Sequence, residues 1–304
     1  MTGAPRYGFT PLEITDPEEL ELLAKLQKRL QAVPGLLSWW GRLSNAEPLS
    51  HSEMHLDDEC TSWSRISTAS RYALDHASDN LRVLHGILNS RETLPFIATY
   101  PLVRSALEGA GLALWMLGPN DPNERVRRHV LNRARELFEE NSFRKEALAS
   151  ARAHRAELSF SSSAIVRAEK ERQEWYRTHR SEILSNASRI GIADPTSGRR
   201  VIGFKKIVGE AHATIDLPSA YGELIWSQVS GLTHPSLLRA VSTLNMSNRS
   251  DNADGTVHVS MSSKVGTVFS AVVAALLLFK SALGAYSVRI EQRGDREAYL
   301  SNTL

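Results

Sequence analysis

The stretch ATYPLVRSALEGAGLALWMLG, residues 98–118, constrains this chain more than any other. On a helix advancing about 100° per residue, Leu102, Val103, Ala106, Ala110, Ala113, Leu114 and Leu117 cover most of the circumference, while Arg104, Glu108, Gly111 and Trp115 share the remaining stripe. A helix apolar on so many faces has to lie inside a bundle of others. Its two charges then need an explanation, because burying either alone costs several kcal/mol. The i,i+4 spacing supplies one: Arg104 folds back onto Glu108 and each lowers the desolvation cost of the other. Two readings follow. The pair orders the bundle by tying this helix to polar groups on its neighbours, or it lines an internal pocket, with Arg104 as an anion clamp and Glu108 as acceptor, base or metal ligand.

Helical signals dominate the rest of the chain. Asp16 and Pro17 predict a helix start that runs to Pro34-Gly35, followed by a turn-rich connector anchored by Trp39 and Trp40. Apolar residues at three- and four-residue steps predict one long helix from about residue 54 to 89. GPNDPNE stops the 98–118 helix and launches an Arg- and Glu-rich one to about residue 158. A second charged helix follows and ends at Gly191, and the stretch 191–218 reads as irregular. Ser219 is placed to cap AYGELIWSQVSGL, and Thr233-His234-Pro235 separates it from a shorter helix, SLLRAVSTL. A polar loop with a short extended piece at residues 256–260 precedes the last helix, 263–293. The fold class expected is all-α, a multi-helix bundle with long helices and no substantial β-sheet. Residues 1–50 form an N-terminal helix and connector, and 51–304 the main bundle.

The composition narrows the partners. A net charge of +2 on 304 residues gives no global attraction to nucleic acid or membrane. The 28 Arg against 8 Lys suit bidentate phosphate contacts, and a GC-rich genome produces the same skew. The run VGTVFSAVVAALLLF, residues 265–279, falls short of the ~20 residues that cross a bilayer and reads as a second central helix, so no membrane partner is expected. Helices this apolar also suit a homodimer. The N-terminus carries no apolar run of signal-peptide length and Cys60 has no second cysteine to pair with, which points to the cytoplasm.

Several constellations could carry chemistry. Asp75 and His76 sit in the long helix, and Ser230 and His234 at the end of another, where the helix dipole favours a cationic imidazole. Arg125, Arg127, Arg128, Arg133 and Arg135 offer a phosphate-contacting face, partly neutralised by Glu124, Glu136, Glu139 and Glu140. GRRVIGFKKIVG is a second, weaker basic stretch. His51 and His55 lie at i,i+4 among acidic residues, but Glu53 is two residues after the first His, which is not the zincin arrangement. No phosphate-binding glycine loop, dinucleotide fingerprint, nucleophile elbow or zinc cysteine pair is present, so no cofactor and no metal site is expected.

The successive pieces ALDHASDNLRVL, YPLVRSALEGAGLALWMLGPNDPNERVRRHV and WSQVSGLTHPS resemble a group of all-helical actinobacterial proteins that are similar to the HEPN (higher eukaryote and prokaryote nucleotide-binding) superfamily, over about residues 60 to 240. The resemblance implies a dimeric ribonuclease of toxin or phage-defence systems, cutting RNA with an Arg and a His four to six residues apart. Arg71 and His76, and Arg172 and His179, have that spacing, as roughly three pairs would by chance in a chain with this many Arg and His. Within a continuous helix Arg71 and His76 point about 140° apart, and no Arg precedes His234 where the family often has one.

Two functions are therefore expected to compete. One is an RNA- or nucleotide-binding protein of host defence or stress, with His76, Arg104, Glu108, Ser230 and His234 in an interior polar cluster and Trp115, Arg125 and Arg128 assisting binding. Catalysis in that setting is metal-independent phosphodiester cleavage, with His234 as acid or base and Arg104 stabilising phosphate charge. The other is a non-catalytic helical scaffold whose Arg–Glu pair sets helix register. A metal-dependent enzyme using His76, Glu108 and His234 is a third possibility.

Overall fold

The computed structural model describes residues 14–292 except 62, 90–93, 96, 156, 158, 160, 198–200 and 252–256. The chain is an all-α bundle with one small hairpin. Arg199 and Arg200 of the second basic stretch, and Thr256 of the expected extended piece, lie outside the described residues.

Helix α1 (Pro17–Leu30) starts where the sequence places it, with the Asp16 carboxylate accepting the N–H groups of Glu18 and Glu19 and Pro17 in the first turn. It buries Leu23, Leu26 and Leu30. Pro34 does not end the helical run there. It enters α2 (Val33–Leu43) in the first turn, where a missing N–H costs nothing, so the first part of the expected connector is helix and buries Trp40 and Leu43.

The expected helix over residues 54–89 is two helices, α3 (Glu53–Cys60) and α4 (Ile66–Leu88). Side chains rather than glycine or proline make the break. Thr61 donates its hydroxyl to the Asp57 carbonyl at 2.8 Å and accepts the Ile66 N–H at 3.3 Å. Asp58 reaches forward to accept both the N–H and the hydroxyl of Ser67, at 2.9 and 2.6 Å, capping α4 from the helix before it.

The apolar stretch forms α5 (Thr99–Leu117), with fourteen of its nineteen residues buried. It packs against α4, the long α6 (Pro122–Ala153), α8 (Phe204–Ala213), α9 (Ser219–Leu232) and α11 (Val265–Glu291). Helix α7 (Ser162–Arg189) returns along α6. The stretch expected to be irregular thus contains α8, whose Ile207, Val208, Ala211 and His212 are buried although Lys205 and Lys206 made it read as basic surface. After α10 (Leu237–Thr243), strands β1 (Asn245–Asp251) and β2 (Val257–Ser262) pair antiparallel, with Asn245 opposite Ser262 and an irregularity between Ser247 and Ser250. Helix α11 is long and apolar enough to span a bilayer; here α5 and α1 cover much of it, and Val272, Ala275, Leu278, Phe279 and Leu283 are buried.

One buried charge network locks the α5–α6 corner. Arg125, with no exposed surface, grips both oxygens of the equally buried Asp57 at 2.7 and 3.1 Å, and donates to the Pro119 and Asn120 carbonyls at 3.0 Å. From α11, Arg289 pairs with Glu53 and donates to the Leu117 and Pro119 carbonyls and the Asn120 side chain. Helices α3, α6 and α11 are thereby fixed to one turn.

Candidate functional site

The polar stripe of α5 faces the α8–α9 layer. Arg104 donates from Nε to Glu108 Oε1 at 2.8 Å and from Nη1 to Thr233 Oγ1 at 3.1 Å, and its guanidinium lies 5.4 Å from the centre of the Trp226 ring. Trp226 Nε1 donates to the same Glu108 oxygen at 2.8 Å. Ser230 joins through its carbonyl, which accepts the Thr233 hydroxyl at 2.7 Å. The Arg104 and Glu108 side chains are 27% and 15% exposed, so the pair sits at a half-open edge rather than in a dry core. Further along the stripe, Gly111 lets α8 approach: a Cβ there would meet Val208 at 3.1 Å. Trp115 donates to Glu210 at 2.6 Å, under the guanidinium of Arg128.

The expected cluster does not assemble as one set. His76 is on the exposed face of α4 and lines a groove that Glu108 also lines. His234 is exposed after α9, and among the described residues its imidazole makes no hydrogen bond. Arg125 is consumed by Asp57, and Arg128 donates to Glu124 and to the Trp115 carbonyl, both at 2.8 Å. Neither presents a phosphate-contacting face.

The two Arg–His spacings come apart as well. Arg71 turns towards α11 and the segment that follows α2, donating to the Tyr286 hydroxyl at 2.7 Å and the Ala46 carbonyl at 2.6 Å, while His76 faces the groove. Arg172 is buried between α6 and α7 on Asn141 and Glu169, and His179 stacks on Trp175 with ring centres 4.9 Å apart.

The groove has a volume of about 800 Å³ and runs between α4, α5, α6 and the start of α8. Three aromatic side chains reach it: Trp63, Tyr72, which is 73% exposed, and Phe204. Two arginines of the expected basic face lie against them. The Arg133 guanidinium is 6.0 Å from the Trp63 ring centre, and Arg135 is 4.4 Å from that of Phe204. Arg133 pairs with Glu136, and Arg135 with Glu139 at 2.7 Å. Even so, Trp63 Nε1, Arg133 Nε and Arg135 Nε are buried without an acceptor among the described residues. An unsatisfied buried donor costs about 1–3 kcal/mol, and an acceptor-rich occupant relieves that deficit once these side chains turn towards it. Behind Trp63, His129 is wholly buried with Nε2 2.5 Å from the Ser64 carbonyl oxygen, and burial pushes its pKa down to about 4. The imidazole is therefore neutral near pH 7 and adds no charge to the groove.

Gly109 belongs to the fold rather than to a ligand. A Cβ there would stand 2.6 Å from the Ala73 carbonyl oxygen, so its absence lets α4 and α5 touch. Among the described residues no three His, Cys, Asp or Glu side chains group as a metal site. His55 pairs with Glu59 at 3.4 Å. Arg133 and Arg135 were visible as part of the basic face, but nothing local distinguishes them from Arg125 and Arg128. The aromatic partners that do so come from residues 63 and 204.

No protein-family model matches the chain, and no curated protein or solved structure matches it either.

Proposed function

We propose that this protein binds a nucleotide or an unpaired stretch of RNA in the groove between α4, α5 and α6. The observation that carries the reading is the pairing of aromatic planes with arginines in one concave site: Trp63 with Arg133, Phe204 with Arg135, and Tyr72 free at the rim. Bases stack on such planes and phosphates meet such cations. The groove's volume is of the size that takes a small organic ligand. Glu108 and Glu136 add acceptors for the amino edge of a base. The HEPN resemblance points to the same ligand class.

Binding of short single-stranded RNA, followed by fluorescence anisotropy, is the test. Tyr72→Ala is expected to weaken binding by about 1–3 kcal/mol, the worth of one base–aromatic stack. Arg133→Ala weakens it further, and three groove arginines, Arg65 included, give a slope of log K against log salt of about −2. Unchanged affinity in both variants removes the reading. Phosphodiester cleavage in this groove would draw on His76, the one imidazole among the described residues that line it, rather than on His234. Incubating wild type, His76→Ala and His234→Ala with total RNA separates cleavage from binding alone.

A scaffold role for the Arg104–Glu108 pair itself is favoured by a different observation. Trp226 and Thr233 satisfy it from α9, more than a hundred residues along the chain. The pair fastens α5 to α9 whatever the groove holds.

A further inference from the structure

A second concavity, about 610 Å³, lies on the opposite helices, between the α1–α2 turn and α11. Its walls are almost wholly apolar, with Leu36 and Trp39 of α2 facing Leu277 of α11, which is 43% exposed in the middle of the most apolar helix of the chain. Two charged residues border it, Arg29 and Lys280, and both are cations. Most other arginines near apolar surface here are held by a carboxylate. Among the described residues neither Arg29 nor Lys280 makes an ion pair, and no carboxylate lines the groove. Gly35, on its floor, has nothing within 4 Å of where a Cβ would stand, so the space is open down to the α2 backbone.

Charge decides among occupants. A second copy of the chain docking this face by two-fold symmetry would bring Lys280 and Arg29 against the same cations, with no carboxylate in the face to answer them. A neutral apolar segment would leave both exposed cations to solvent and gain nothing from them. An apolar chain ending in an anion satisfies both features at once. We propose that the groove between α1–α2 and α11 binds a free acyl carboxylate, its hydrocarbon chain against Leu36, Trp39 and Leu277 and its head group at Arg29 and Lys280.

Trp39 supplies the readout. Titrating the full chain with a bromine-bearing dodecanoate is expected to quench a saturable part of the tryptophan emission, and Trp39→Phe removes that part. Gly35→Leu fills open space, leaves the thermal midpoint unchanged or higher, and abolishes quenching. Arg29→Ala and Lys280→Ala each weaken the carboxylate about two- to five-fold, the worth of one exposed charge pair, and leave the matching bromo-alcohol unaffected. Alcohol bound as tightly as carboxylate overturns the assignment of the head group. Absence of saturable quenching, or quenching indifferent to Gly35→Leu, overturns the site. Sedimentation with anionic phospholipid vesicles, or a dimer dissociated by Gly35→Leu, in protein that binds no dodecanoate overturns it in favour of a lipid surface or a second copy.

Discussion

Arg125 and Asp57 hold each other out of water at the α5–α6 corner, and their worth is asymmetric. Removing Asp57 leaves the buried Arg125 guanidinium only the more distant Glu53 carboxylate, at 3.6 Å, so Asp57→Ala is expected to lower the unfolding free energy by about 3 kcal/mol. An apolar pair of similar volume, Asp57→Leu with Arg125→Met, is expected to cost far less, and urea titration of the three proteins checks the contrast. A single variant no less stable than wild type ends the argument. His129 makes a pH-dependent contribution. Its folded pKa of about 4 lies below the ordinary value near 6.5, so the unfolded chain binds the proton first as pH falls. The stability from keeping it neutral is complete above pH 6.5 and is lost as pH falls towards 4, by about 3 kcal/mol at most. His212, also buried and also shifted down by burial, acts in the same direction. The urea midpoint is expected to fall between pH 7 and 4.5, and His129→Gln flattens the fall; equal slopes in the two proteins count against it. At this scale the sequence was partly legible. The Arg104–Glu108 pair is an i,i+4 signal, but Trp226 and Thr233, which complete it, have no local signature. Arg125 and Arg133 look alike in the sequence, and only the fold sends one to Asp57 and the other to Trp63.

Among the helices, what separated legible from illegible boundaries was the chemistry of the stop. Asp16-Pro17 and Asp121-Pro122 cap and start α1 and α6 with local residues, and both starts were readable. The break between α3 and α4 relies on Thr61 and on Asp58 reaching nine residues forward to Ser67, a geometry that exists only after the chain has turned. Pro34 misled because the same residue ends a helix in its interior and opens one in its first turn. Glycines make the point measurable. Gly109→Ala puts a methyl group 2.6 Å from the Ala73 carbonyl oxygen, and α4 has to move off α5 to admit it. A loss of about 1–3 kcal/mol is expected, typical of overpacking. Gly86→Ala, in α4 with open space around the new Cβ, is expected to gain up to about 1 kcal/mol from helix propensity alone. Thermal midpoints shifting in opposite directions support close α4–α5 contact; a Gly109→Ala midpoint at or above wild type contradicts it.

Across the molecule, burial is uneven enough to set an order of opening. Helix α5 buries fourteen of nineteen residues and touches five other helices, whereas α7 buries five of its 28 and rests chiefly on α6. Two of those five, Arg172 and Asn186, are polar, and Phe143 and Val166 are largely exposed along the same helix pair. The apolar stabilisation holding α7 is therefore a small part of the whole, and it is lost without disturbing α4, α5 or α11. Hydrogen exchange under native conditions is expected to reflect this, with α5 and α11 amides exchanging only through global unfolding. The amides of α7 exchange by a smaller opening with a weaker denaturant dependence, because less surface is exposed. The groove takes its aromatic and arginine walls from the α3–α4 turn, α4, α6 and α8, so opening α7 leaves Trp63 and Phe204 in place and removes only the outer support of α6. A groove ligand is accordingly expected to slow exchange in α4, in the part of α6 around Arg133 and at the start of α8, with little effect on α7. Protection of α7 equal to that of α5 without ligand would mean that the bundle opens as one unit.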